Sequence, residues 1–194
     1  GSGSGSVYGG VESLRREDAG DSIDGTTTAR DVIFVGGNHK GRDRDLVHMA
    51  LEAGVDLTII GPGWKDLVPD EVLAGEHVPN SELAAVYRSA KFVLADHWND
   101  MATEGFIQNR IFDALACGAR VISDPVVGME EFFGDAVDVC RSPEDIARVV
   151  SGDADGVGQE KRVTTAEWIA REHSFDARAE QILRDVTEML EQRQ

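Results

Sequence analysis

The residues best able to do chemistry in this 194-residue chain sit in two segments. The first is GGNHKGRDRD, Gly36 to Asp45. Bare glycines let backbone amides approach an anion, and Lys40, Arg42 and Arg44 add positive charge beside them. The spacing is not that of a Walker A loop, because Arg42-Asp43 follows Gly41 where Lys-Ser/Thr would stand, and the GxGxxG dinucleotide pattern is absent. On these residues alone, phosphate binding and an ordinary glycine turn with solvated charges are equal alternatives. Asp43-Arg44-Asp45 also forms a DxD string, a pattern able to hold a divalent metal. Acids that open a helix more often complement its macrodipole, and Asp153-Ala154-Asp155 is no stronger a metal motif.

The second segment runs from Lys91 to Glu131. Helical spacing sets Ile107, Ile111 and Leu115 on one stripe and Asn109, Arg110 and Asp113 on another face. A surface ion pair between Arg110 and Asp113 is the plain reading of their i, i+3 spacing. Against it stands location, because this helix begins where a ligand crevice is expected. His97 and Trp98 precede the helix, one able to donate to a ligand oxygen and the other to wall a pocket; a capping His and a half-buried Trp are the alternatives. Cys117 has no local basic partner and reads as packing.

Elements must hold these segments in register. Short β-branched runs predict strands at Val32–Val35, Leu57–Ile60, His77–Pro79, Phe92–Ala95, Arg120–Ser123 and Val137–Cys140. Helices are expected near Asp43–Ala53, Asp66–Leu73, Ser81–Ser89, Ile107–Cys117, Glu144–Val150, Thr164–Glu172 and Phe175–Gln192. Asn80 is read as an N-cap, Gly54 and Gly118 as left-handed helix ends, and Ser142-Pro143 as a cap followed by a first-turn proline. The alternation gives an α/β fold, a Rossmann-like doubly wound parallel sheet of about six strands with C-terminal helices. Its ligand would lie beyond the carboxyl ends of the strands. The opening GSGSGS reads as a Gly/Ser linker, residues 7–30 as a linker or inter-domain strap, and 31–194 as the folded domain.

Composition narrows the function. Apolar residues make up 41% and charged residues 28%, a globular balance. Nineteen Lys plus Arg against 36 Asp plus Glu leave a net charge of −17, which disfavours nucleic acid as a partner. No apolar run approaches the ~20 residues of a membrane span. Two cysteines without metal spacing suggest a reducing, cytoplasmic setting and no zinc site.

The ordered set Phe34–Arg42, GPGW at Gly61–Trp64, VYRSAKFVL at Val86–Leu94, EGF at Glu104–Phe106, NRIFDALACG at Asn109–Gly118 and SFDARAEQIL at Ser174–Leu183 resembles the donor half of GT-B glycosyltransferases. The likeness is strongest to group 1 transferases related to spore-maturation glycosyltransferases, and it covers about residues 31 to 185. It implies one half of a GT-B fold: a C-terminal domain holding a nucleoside diphosphate sugar, with UDP, GDP and dTDP not distinguished. The acceptor would be held by an N-terminal domain absent from this chain, without which the fragment would be inactive.

Carried over by position, the resemblance puts the diphosphate near Gly36, Gly37, Lys40 and Arg42. Backbone amides and side chains of Gly105, Phe106, Ile107, Gln108 and Asn109 would surround the phosphates. Asp113 would accept bonds from the ribose hydroxyls, and Glu104 would contact the donor sugar. Arg42, Glu104 and His97 are the expected catalytic residues, with no metal. Glu104 and Asp113 stand nine positions apart, where the wider family's Glu-x7-Glu separates them by eight. Trp64 would border the base or plug the core. A non-catalytic nucleotide-binding module and a GT-B-like nucleotide-sugar epimerase are the competing functions.

Overall fold

Runs of β-branched and aromatic residues become strands β1 (Val32–Val35), β2 (Leu57–Ile60), β3 (Leu73–Gly75), β4 (Phe92–Ala95), β5 (Arg120–Ser123) and β6 (Val137–Val139). Between and after them lie α1 (Asp45–Glu52), α2 (Asn80–Ser89), α3 (Asn99–Thr103), α4 (Asn109–Ala116), α5 (Met129–Phe133), α6 (Pro143–Ser151), α7 (Gln159–Glu172) and α8 (Phe175–Glu191). The computed structural model describes residues 31–38, 44–152 and 159–192. The linker and strap read at 1–30, together with Lys40, Arg42, Asp43 and the Asp153–Asp155 string, lie outside the described residues.

All pairings are parallel, and the six strands follow the order β3-β2-β1-β4-β5-β6. Strand order reverses between β1 and β4, which opens a crevice at their carboxyl ends, the expected ligand position in an open α/β sheet. Period-two alternation divides the core. Ile33, Val93, Ala95 and Val121 face α2, α4, α5 and α7, whereas Val32, Phe34, Ile59, Phe92 and Leu94 face α1 and α6. Each fully buried side chain of this kind contributes roughly 1.5–3 kcal/mol of transfer free energy.

The helix ends follow local chemistry. Ser142 Oγ accepts the Asp145 N–H at 3.2 Å with Pro143 in the first turn, and Gly54 and Gly118 take φ of +68° and +75°. Gly118 therefore ends α4 and lets the chain turn directly into β5.

Four expectations need correction. No helix forms over Asp66–Leu73: Asp66 takes φ +63°, Pro69 is extended, and only a 3₁₀ turn at Asp70–Val72 follows. Proline biases the residue before it away from helix, which breaks the apparent periodicity. The third strand is Leu73–Gly75 rather than His77–Pro79, a short edge strand with two exposed residues. Asn80 does not cap α2; Pro79 holds that position, and Asn80 is the first helical residue. Helix α7 begins at Gln159 rather than Thr164.

Helix α8 is anchored by its first turn. Ser174 Oγ accepts the Ala177 N–H at 3.1 Å, and the Arg178 guanidinium lies 4.6 Å from the Phe112 ring centre. Among the described residues no helix is long and apolar enough to cross a membrane.

Candidate functional site

The crevice is built first by backbone. After β1, the Gly36 N–H donates to Ile60 O at 2.8 Å and the Asn38 N–H to Pro62 O at 2.9 Å, so the glycine loop is laced to the GPGW loop after β2. The two backbones meet without room for side chains: a Cβ on Gly61 would lie 2.2 Å from Gly36 O, and one on Gly63 2.2 Å from Asn38 O. Trp64 closes the floor. It is 1% exposed, stands edge-on to Phe34 at 5.6 Å, and donates Nε1–H to Gly36 O at 2.8 Å. Of its two sequence readings, the structure selects the plug.

Arg44 turns inward from the start of α1. Its Nη2 donates to Gly37 O at 3.1 Å and its Nη1 to Asp96 Oδ1 at 2.9 Å, while the guanidinium stacks 4.3 Å from the Trp98 ring. The central residue of the DxD string is thus a partly buried cation, its side chain 12% exposed, that holds the glycine loop. Asp45 is an exposed acid in the first turn of α1, as the macrodipole reading expects. Burial pushes the Asp96 carboxyl up despite the opposing pull of Arg44. The native state therefore takes up a proton before the unfolded chain as pH falls, and this group's contribution to stability declines as pH rises from the ordinary carboxylate value through its raised one. The ionised pair orients Arg44 at some cost to the fold.

A second chain of hydrogen bonds starts at β5. Asp124 accepts from His97 twice, at the backbone N–H (3.1 Å) and at ring Nδ1 (2.7 Å). The Gln108 N–H, which can only donate, meets His97 Nε2 at 3.1 Å. This network assigns the neutral tautomer with the proton on Nδ1. Gln108 Nε2 then donates to Asp96 O at 2.6 Å, which ties the entrance of α4 to the end of β4. His97 is 8% exposed with both ring nitrogens engaged, so it fastens the loop and would serve a ligand only by releasing one of these bonds.

Helix α4 presents the remaining candidates. Glu104 is exposed at the end of α3, and Gly105 follows with φ +73°, where a Cβ would lie 3.1 Å from Val127 O. Phe106 is exposed, but its N–H donates to Met101 O at 2.8 Å. Ile107 packs half-buried against the core. The amides of Phe106 and Gln108 are therefore spent internally, contrary to the expectation that this whole segment offers donors to phosphates. Among the described residues, the first-turn amides of Asn109 and Arg110 have no acceptor.

Arg110 and Asp113 do not form the surface ion pair allowed by their spacing; none is present within 4.0 Å among the described residues. Arg110 instead stacks 5.3 Å from the Phe34 ring centre. Burial pushes the half-buried Asp113 carboxyl up, while Arg110 and Arg178 pull it down. Burial also raises the Cys117 thiol, in keeping with a packing role.

A cleft of about 790 Å³ adjoins this site along α1 and α3, lined by Asp45, Asp96, His97, Trp98, Asp100, Asp124 and Arg141 among others. Of the residues singled out in the sequence, His97, Trp98 and Asp45 line it, and the remaining candidates do not. Among the described residues no group of His, Cys, Asp and Glu is placed to hold a metal ion. Sequence reasoning counted Arg44 only as added positive charge and gave Asp96 and Asp124 no part in organising the site. The usable signal was position, since Asp96 and Asp124 each directly follow a strand end at the carboxyl edge.

A sequence model described as Glycosyl transferase-like matches residues 42–184. Among solved structures, the fold resembles that of the GtfA/B complex (TM-score 0.55, 16% identity, 82% of this chain and 37% of that one). It also resembles Anabaena Alr3699/HepE in complex with UDP-glucose (0.55, 12%, 81% and 48%) and the pneumococcal O-GlcNAc transferase GtfA in complex with UDP and GlcNAc (0.50, 17%, 81% and 36%). The chain spans half or less of the length of the solved structures it resembles. No curated protein sequence matches it.

Proposed function

Because this chain belongs to the glycosyl transferase-like family, we propose that it is the donor-binding, C-terminal domain of a cytoplasmic GT-B glycosyltransferase that uses a nucleoside diphosphate sugar. The observation that carries this reading is the convergence of the Gly36–Gly37 loop and the start of α4 at the strand-order reversal between β1 and β4. Gly36, Gly37, Lys40 and Arg42 receive the diphosphate with the free amides of the first turn of α4. Asp113, one turn further, accepts from the ribose hydroxyls, and exposed Glu104 reaches the sugar.

When the acceptor displaces the diphosphate, the bond from the anomeric carbon to the leaving phosphate oxygen breaks, and negative charge gathers on that oxygen. Arg42 and the α4 N-terminus stabilise this charge electrostatically without a metal. His97, fixed by Asp124, holds the entrance of α4 in place for this task. The acceptor comes from a second domain outside this chain, so the isolated domain binds donor and turns it over slowly or not at all.

Calorimetric titration with UDP, GDP, dTDP and ADP, with and without EDTA, tests this reading. One of the four binds, binding survives EDTA, and Arg42→Ala weakens it by roughly 1.5–3 kcal/mol, the worth of a charge-assisted hydrogen bond. Unchanged affinity in Arg42→Ala would remove Arg42 from the site, and strict dependence on added magnesium or manganese would overturn the metal-free mechanism.

A further inference from the structure

Two guanidiniums flank the Phe34 ring, Arg44 at 5.8 Å and Arg110 at 5.3 Å from its centre. Their circumstances differ. Arg44 is neutralised by Asp96 and donates to Gly37 O, so its place is filled by the protein itself. Arg110 has no carboxylate within 4.0 Å among the described residues. Asp113 and Asp96 act on it only from beyond contact distance, and a half-buried guanidinium with no carboxylate in direct contact is an unusual feature in a chain of net charge −17.

Its position explains what it is for. A Cβ on Gly36 would lie 3.1 Å from Arg110 Nη2, so the guanidinium rests over the backbone of the first glycine after β1. Beside it are the Asn109 and Arg110 amides, which have no acceptor among the described residues. A planar fork of donors over bare backbone at a helix start matches the oxygens of a phosphate group. We infer that Arg110 is a direct diphosphate ligand of this domain, gripping a phosphate across Gly36 while Arg44 only shapes the loop. The inference rests on the nucleotide reading above for the identity of the phosphate carrier, and on the position of Arg110 for the contact itself.

The test titrates UDP, GDP, dTDP and ADP, the matching nucleoside, and inorganic pyrophosphate into the full chain and into Arg110→Met, Arg110→Lys and Gly36→Ala. Thermal unfolding of each variant confirms that it is folded. Arg110→Met keeps the apolar stem over Phe34 and is expected to lose on the order of 10- to 100-fold in affinity for diphosphate and pyrophosphate, leaving nucleoside affinity unchanged. Arg110→Lys keeps the charge without the fork and recovers part of the loss. Gly36→Ala preserves every charge but crowds both the guanidinium and the Phe34 ring beneath it, each 3.1 Å from the added Cβ, and lowers phosphate affinity in the same direction.

Phosphate affinity equal to wild type in folded Arg110→Met and Arg110→Lys would overturn the inference. If pyrophosphate binds in an Arg110-dependent way but no nucleoside diphosphate binds more tightly than it, the phosphate site stands and the nucleotide reading falls. Absence of binding by either anion overturns both.

Discussion

Trp64→Ala loses about 3 to 5 kcal/mol of folding stability, the usual cost of deleting a large buried aromatic side chain. Trp64 is 1% exposed and packs edge-on to Phe34, so its removal leaves a cavity under the glycine loop that α1 and β2 cannot collapse to fill. Trp64→Phe separates volume from polarity. It retains most of the packing but removes the Nε1–H donated to Gly36 O at 2.8 Å, for a cost of about 1 to 3 kcal/mol if that carbonyl is left unpartnered. Urea denaturation, compared at constant m-value, measures both. A loss below about 1 kcal/mol for Trp64→Ala would show that the indole is not the floor of the crevice.

The second large effect is a single methyl group. Gly63→Ala places Cβ 2.2 Å from Asn38 O at φ +84°, so strain and collision act together and the loop after β1 must move. The expected cost is roughly 2 to 4 kcal/mol. Gly54→Ala is the control. It has a comparable φ of +68° with nothing within 4 Å of its Cβ, so it carries the conformational penalty alone, about 1 kcal/mol. Equal losses in the two variants would mean that the GPGW and Gly36–Asn38 backbones do not pack as closely as the structure has them.

Reading the strands from sequence succeeded where side chains alternate into two buried layers, as in VIFV, LTII and FVLA, because burial on both faces leaves an unbroken apolar run. It failed at Leu73–Gly75, a half-exposed edge strand with no such run, and at the five-residue helices α3 and α5, which are too short to display a helical period. The glycine loop and the polar face of α4 were legible because each adjoins a well-marked element. The network that fixes them was not. Arg44 reaches Asp96 across 52 residues and His97 reaches Asp124 across 27, contacts created by the adjacency of β1, β4 and β5 that chain order conceals. Arg110 stayed open for the opposite reason, since its near neighbour in sequence, Asp113, offered a local partner that the fold does not use.

The central claim is that a nucleoside diphosphate occupies the crevice between the carboxyl ends of β1 and β4. Backbone hydrogen–deuterium exchange, with and without a saturating concentration of whichever of UDP, GDP, dTDP or ADP binds most tightly, tests it most directly. The account predicts slowed exchange concentrated at Gly36–Asn38 and over Gln108–Asp113, with the α6 and α8 amides unaffected. Protection confined to α6, α8 or the β3 edge, with the Gly36–Asn38 and α4 amides unchanged, would contradict it.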